Sequence, residues 1–307
     1  MTRAVVFAYH NVGVRCLKVL LARGIDVALV ITHEDNPNEN IWFGSVRQVC
    51  EENDIPFITP ADPNTPETEA CVAALDADFL FSFYYRHMLK APLLSAVKRG
   101  AYNMHGSLLP KYRGRVPINW AVIHGERETG ATLHRMTEKP DNGAIVDQVA
   151  VPILPDDTAQ EVFEKVTVAA ELCLHRALPG LIDGSAPHRA QDLSQGAYFG
   201  GRKAEDGRID WSQNARQIHD LVRAVTRPYP GAFSDLPTGR LVLWRTRVVA
   251  DDGTGPLTGT ITHNNGILEI HPIGGGILQI LDAELSGGDL PTSGNPDDII
   301  KLPSSDS

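Results

Sequence analysis

At 307 residues, with 42% apolar and 21% charged side chains, the chain has the composition of an ordinary globular protein, long enough to bury a large core and form two domains. A formal charge of −10, from 28 Lys and Arg against 38 Asp and Glu, argues against a broad non-specific nucleic-acid surface. No run approaches the ~18 apolar residues of a membrane span, and the polar start Met1-Thr2-Arg3 leads only into a strand-length run. The expectation is therefore a cytoplasmic protein without a signal peptide. Cys16, Cys50, Cys71 and Cys173 are scattered, without Cys-x-x-Cys or nearby His at ligand spacing, and read as buried thiols, with no disulfide and no metal site.

Residues 3–9 form a short β-branched run, the first buried strand of a parallel sheet. Residues 13–24 carry a helical period through Val14, Leu17, Leu20 and Leu21, and residues 27–31 read as a second strand. The turn His10-Asn11-Val12-Gly13 lacks Gly-x-Gly-x-x-Gly, so NAD is not expected here. His33-Glu34-Asp35-Asn36-Pro37 is rich in possible ligands but reads as a solvated loop. Helices at 45–53 and 67–75 alternate with strands at 56–59 and 78–83, giving a doubly wound, mainly parallel, Rossmann-like α/β sheet. Residues 83–89 (Phe-Tyr-Tyr-Arg-His-Met-Leu) read either as a strand passing into an apolar helix or as a wall for a flat heteroaromatic ligand.

The stretch 103–114, Asn-Met-His-Gly-Ser-Leu-Leu-Pro-Lys-Tyr-Arg-Gly, follows a short strand and is broken by Gly and Pro. Asn103 and His105 are two residues apart, so in extended backbone they share a face. An amide donor beside a titratable base suits acyl transfer: the base takes the nucleophile's proton while the amide stabilises the oxyanion.

Asn-x-His-x-Ser-Leu-Leu-Pro-x-x-Arg-Gly resembles the signature loop of the folate-dependent formyltransferases. The resemblance implies 10-formyltetrahydrofolate as co-substrate, without metal. It places the pterin against backbone near His87, Met88 and Leu89, with Arg115, Thr137, Glu138, Lys139, Pro140 and Asp141 completing the folate site. Asp-x-Gly-x-Ile at Asp141 matches the loop carrying the family's third catalytic residue, so the implied set is Asn103, His105 and Asp141. A turn aspartate is the bland alternative at Asp141. His134, in the strand at 130–136, reads as a structural hydrogen-bonder.

Helices are expected at 116–123 and 159–178, with Asp156, Asp157 and Thr158 offering capping oxygens, and a strand at 149–153. The composition at 183–206 reads as a linker, with 199–203 a flexible basic link. One helix at 215–225 precedes β-branched runs at 240–249, 259–262, 267–270 and 277–283, spaced as in a small barrel. The resemblance agrees, implying an OB-like barrel opened by Arg-Pro-Tyr-Pro-Gly-Ala-Phe at 227–233. The expected domains are residues 1–190, a linker at 191–206, the barrel at 207–286 and a disordered tail at 287–307.

Phe-Ala-Tyr-His at 7–10, Thr-His-x-Asp-Asn-Pro at 32–37, Phe-Ser-Phe-Tyr-Tyr-Arg-His at 81–87 and Leu-His-Arg-Met at 133–136 resemble the branch that formylates UDP-4-amino-4-deoxy-L-arabinose for lipid A modification and polymyxin resistance. There the domain is joined to an NAD-binding dehydrogenase, which this sequence lacks, so other proteins would supply the amino sugar. The alternative, methionyl-tRNA formyltransferase, calls for a basic barrel. Residues 200–307 hold 10 Lys and Arg against 14 Asp and Glu, a balance of −4, so the expected partner is a nucleotide sugar, not nucleic acid. A homo-oligomer is left open. Lys111, Arg113 and Arg202 are candidate phosphate contacts.

Overall fold

Strand β1 (Arg3–Ala8) is buried from Ala4 onward on both faces, as the centre of a helix-covered sheet requires. The chain continues through α1 (His10–Ala22), β2 (Asp26–Ile31), α2 (Val46–Glu52), β3 (Phe57–Ile58), α3 (Pro66–Ala74), β4 (Phe79–Phe83), α4 (Ala91–Ser95) and β5 (Gly100–His105). Local chemistry starts these helices. Ser45 caps α2 by accepting from Gln48 N (3.2 Å), and Thr65 caps α3 ahead of Pro66. Then follow β6 (Arg113–Gly114), α5 (Pro117–Ile123), β7 (Glu128–Arg135), β8 (Ile145–Pro152), α6 (Ala159–Asp183) and β9 (Tyr198–Phe199).

The computed structural model describes residues 1–251, 257–264, 267–287, 290 and 299–303. It divides into two compact units: residues 1–117, 128–152 and 163–200, and residues 118–127, 153–162 and 201–307. The division falls at 200, whereas composition suggested 190, and two short excursions, 118–127 and 153–162, belong to the second unit with no compositional sign.

In the first unit the sheet order is β3-β2-β1-β4-β5-β7-β8. Strands β1 to β5 are parallel, and β7 and β8 return antiparallel. One face packs Val5, Phe7, Leu29, Ile31 and Leu80 against Val72 of α3 and Leu93 of α4. On α1, Arg15 pairs with Glu171 of α6. Sequence order reverses between β1 and β4, which opens a crevice at the carboxyl ends of those strands.

Several expectations are corrected. Helix α6 runs past Pro179 to Asp183, one turn beyond the expected stop. Proline cannot donate to the carbonyl of His175 four residues back, and Arg23 Nη2 donates to it instead (3.1 Å). Cys71 is exposed while the other three thiols are buried, because α3 turns only Thr68 and Val72 inward. Residues 84–90 form no helix. The expected linker contains β9, which pairs in parallel with β6, so this stretch is ordered by main-chain hydrogen bonds.

The second unit holds α7 (Ala215–Val225), which starts on a reciprocal Asn214–Gln217 capping box. It also holds β10 (Ala232–Leu236), β11 (Gly239–Ala250), β12 (Thr260–Asn264), β13 (Ile267–His271), β14 (Ile277–Leu285) and β15 (Ile300–Lys301). These strands form an antiparallel sheet, β10-β11-β14-β13-β12-β15, that curls into a half-barrel. Register shifts along β11 supply the bend. Strands β10 and β15 were not marked by the sequence spacing. Most of the tail expected to be disordered lies outside the described residues, but Ile300–Lys301 is paired strand.

His10 opens α1 with a left-handed φ of 63°, its ring stacked on Phe43 (3.8 Å) and edge-on to Trp42 and Phe163. Burial, followed by the charge of Arg86, pushes the His10 pKa down to about 3. Below the ordinary histidine range the unfolded chain takes up a proton that the folded ring refuses. Stability from this group is therefore intact above pH 6.5 and lost as pH falls towards 3. His10→Phe keeps a flat ring without the titration, so its melting temperature should fall less between pH 7 and 5 than that of the wild type, by an equivalent of about 1–2 kcal/mol. Equal falls would contradict this.

Candidate active site

Strand β5 ends on His105, and cross-strand pairing sets Asn103 opposite His134 and His105 opposite Thr132 of β7. The chain then leaves the sheet, and neighbouring strands hold the loop by side chains. Thr132 Oγ1 donates to Ser107 O (2.6 Å) and accepts from Leu109 N (3.1 Å). Gln148 Nε2 of β8 donates to Leu109 O (2.9 Å). Ser107 Oγ closes the loop onto Lys111 O (2.6 Å).

The structure brings Asn103, His105 and Asp141 to one place and adds His134. Asp141 Oδ1 lies 3.5 Å from His105 Nδ1 and 3.5 Å from His134 Nε2. Its Oδ2 accepts from Gly114 N (2.8 Å). Burial alone would raise the Asp141 carboxyl, but the attraction of His105 and His134 in their protonated forms and the Gly114 N–H outweigh it and hold the group well below the usual carboxylate range. Asp141 is thus ionised at neutral pH although only 11% of its side chain is exposed.

Hydrogen-bond partners fix the ring tautomers. His105 Nε2 donates to Tyr112 O (2.8 Å), which leaves the lone pair of the neutral ring on Nδ1, facing Asp141. His134 Nδ1 donates to Arg135 O (3.0 Å), so its Nε2 accepts from Asn103 Nδ2 (3.2 Å). One amide hydrogen of Asn103 is thereby committed, and its carboxamide is held in one orientation. His134, read from sequence as structural, therefore belongs to the cluster. Its signal was the alternation of β7 against β5, legible only once the register is known.

The expected folate residues occupy two segments. Leu89 is core, in a cluster that Met136 joins, so it offers a ligand only its backbone. Met88 is exposed, and its carbonyl accepts from Asn64 Nδ2 (2.9 Å). The His87 ring lies 5.0 Å from that of His33. In the loop between β7 and β8, Thr137, Glu138 and Lys139 are exposed and Pro140 half-buried, with Thr137 Oγ1 donating to Lys139 O (2.9 Å). Arg115 is exposed and its N–H donates to Phe199 O (2.9 Å).

Two of the phosphate candidates are engaged elsewhere. Arg113 bonds Asn142 Oδ1 (3.1 Å) and Gly196 O (2.8 Å), since its planar fork suits several fixed acceptors. In the second unit, Arg202 lies over the Trp120 ring (4.8 Å). Lys111 is exposed.

Next to His105, Gly106 has no room for a side chain, because the Tyr84 hydroxyl occupies the Cβ position. Tyr84 itself has a left-handed φ of 56° and packs edge-on against Phe163. Gly106→Ala should destabilise the protein by about 1–3 kcal/mol, and Tyr84→Phe added to it should recover a large part. Thermal melts of the two single variants and the double variant test this; a strictly additive double variant would contradict it.

Residues 3–189 match the family model described as formyl transferase, and residues 202–292 match formyl transferase, C-terminal domain. Among solved structures, the fold is similar to an N-formyltransferase from Helicobacter canadensis in complex with folinic acid and dTDP-3-aminofucose (21% identity, TM-score 0.71, covering 91% of this chain and 99% of that one). It is similar to WlaRD, a sugar 3N-formyl transferase determined with dTDP and 5-N-formyl-THF (19% identity, TM-score 0.70, 94% and 99%). HypX from Aquifex aeolicus in complex with tetrahydrofolic acid shares the fold over 92% of this chain and 44% of its own (17% identity, TM-score 0.61). With both domains matched in order and the signature loop folded around a buried carboxylate, the chain belongs to the formyl transferase family.

Proposed function

We propose that this formyltransferase moves a formyl group from 10-formyltetrahydrofolate to the amine of a nucleotide-linked 4-amino sugar, UDP-4-amino-4-deoxy-L-arabinose, and that Asn103, His105 and Asp141 carry the reaction. The observation that carries this reading is His105 Nδ1 facing the ionised Asp141 at 3.5 Å, beside the oriented amide of Asn103. The folinic acid and dTDP-3-aminofucose held by the Helicobacter canadensis enzyme support the two substrate classes. Support for the sugar comes from the motifs at 7–10, 32–37, 81–87 and 133–136, and from the acidic balance of residues 200–307.

The exposed loop at 137–140 and the backbone at 87–89 would hold the folate, leaving the buried face of the 141 loop towards His105. The folate supplies an already activated formyl group. As the sugar amine attacks the formyl carbon, the second N–H of Asn103 donates to the oxygen that gains charge. His105 Nδ1 takes the amine proton, and the new imidazolium is stabilised by Asp141. The same proton then goes to the departing N10 as its bond to the formyl carbon breaks, which returns His105 to the neutral ring. His134 acts by holding the Asn103 amide.

Formyl transfer should be measured with UDP-4-amino-4-deoxy-L-arabinose, dTDP-linked amino sugars and methionyl-tRNA in parallel. Turnover of the UDP sugar is expected; turnover of methionyl-tRNA alone would overturn the acceptor assignment. His105→Ala should lower kcat by about 100-fold or more, and near-full activity would overturn the catalytic reading. His134→Leu should lower kcat by about 10- to 100-fold with little change in KM for the formyl donor. A normal kcat would show that Asn103 needs no such anchor.

A further inference from the structure

The segment after α6 lies against both loops that carry the proposed reacting groups. Strand β9 pairs with β6, and the rings of Tyr112 and Phe199 stack at 5.1 Å. Gly196 sits so close to the Pro110 carbonyl that a Cβ would not fit. From this segment Gln191 sends its carboxamide nitrogen to Asp141 O (2.9 Å) and Gly143 O (2.6 Å). Between these, Asn142 Oδ1 accepts from Arg113, whose Nη2 also reaches Leu193 O (3.3 Å) and Gly196 O (2.8 Å).

Residues 141–143 are thus held from outside their own loop: two backbone carbonyls by Gln191 and the intervening side chain by Arg113. The hold matters because the loop is not a relaxed turn. Asp141 has a φ of 55°, and Gly143 packs against the Arg135 carbonyl without space for a side chain. A residue in the left-handed region persists only where its surroundings over-determine it.

We infer that Gln191 is a positioning residue for catalysis: by fixing the carbonyls of Asp141 and Gly143 it sets the carboxylate against His105 and His134. The inference rests on the catalytic reading of His105 and Asp141. Gln191 does no chemistry itself. What it supplies is N–H donors, so its length and volume alone do not suffice.

Gln191→Met keeps the size and removes the donors, and Gln191→Glu keeps the shape and, ionised, turns acceptors towards the two carbonyls. Both should lower kcat by about 10- to 100-fold, with KM for 10-formyltetrahydrofolate and the affinity for folinic acid within about twofold of wild type. The side-chain 15N spectra of His105 and His134 read the carboxylate's position without any acceptor, and they should shift in Gln191→Met. Unchanged spectra would overturn the inference, as would wild-type turnover of UDP-4-amino-4-deoxy-L-arabinose by Gln191→Met. A parallel loss of kcat, donor affinity and melting temperature would reduce Gln191 to a structural prop and overturn it too. His105→Ala, run alongside, separates the two levels. If it is inactive while Gln191→Met is normal, only the positioning role fails; if it is active, the catalytic reading fails first.

Discussion

A carboxylate buried between two imidazoles is the constraint around which the first unit is arranged. An ionised group removed from water is costly unless charge and hydrogen bonds compensate it. Asp141 meets that demand with one main-chain N–H and with two histidines, which compensate its charge when their rings are protonated. Each compensation makes its own demand. Gly114 donates from a position with φ of 100°, where a Cβ would collide with Phe199 O, so the signature loop ends on glycine. His134 must come from β7, so β7 must run antiparallel to β5 in one register.

The crevice at the carboxyl ends of the strands collects backbone conformations that L-residues seldom adopt. His10, Tyr84, Tyr112 and Asp141 all have φ between 54° and 63°, and each lies where the chain leaves a strand or crosses the site. Such positions are tolerated only when packing and hydrogen bonds hold them. Aromatic rings do so for His10 and Tyr84, and the segment 191–199 does so for Tyr112 and Asp141. The supports of the site therefore come from several separate parts of the chain.

Patterns with a fixed period were legible beforehand. The alternation of β-branched runs and amphipathic stretches gave the doubly wound sheet, and the spacing of Asn103 and His105 put both on one face of β5. Family resemblance pointed to Asp141, which turn chemistry alone would read as an ordinary turn residue. What escaped were residues whose meaning depends on a partner far along the chain. Gln191 sits in a Ser-, Gln- and Gly-rich stretch that reads as linker, because composition reports flexibility in isolation and not the carbonyls waiting 48 and 50 residues upstream. Cys71 was misplaced for a similar reason: a thiol's burial follows the inward stripe of its helix, not its own hydrophobicity.

By itself the sequence determined most of the elements, the order of the two domains and the chemical types gathered at the candidate site, because hydrophobic period, glycine and proline act locally. Only tertiary structure decided which nitrogen of each histidine faces the carboxylate, that His134 anchors Asn103, that Arg113 is spent on the loop at 142 and 196, and that the supposed linker holds the loops at 110–114 and 141–143. Those outcomes depend on hydrogen-bond partners supplied across the sheet, and no local pattern encodes the geometry by which distant donors and acceptors meet.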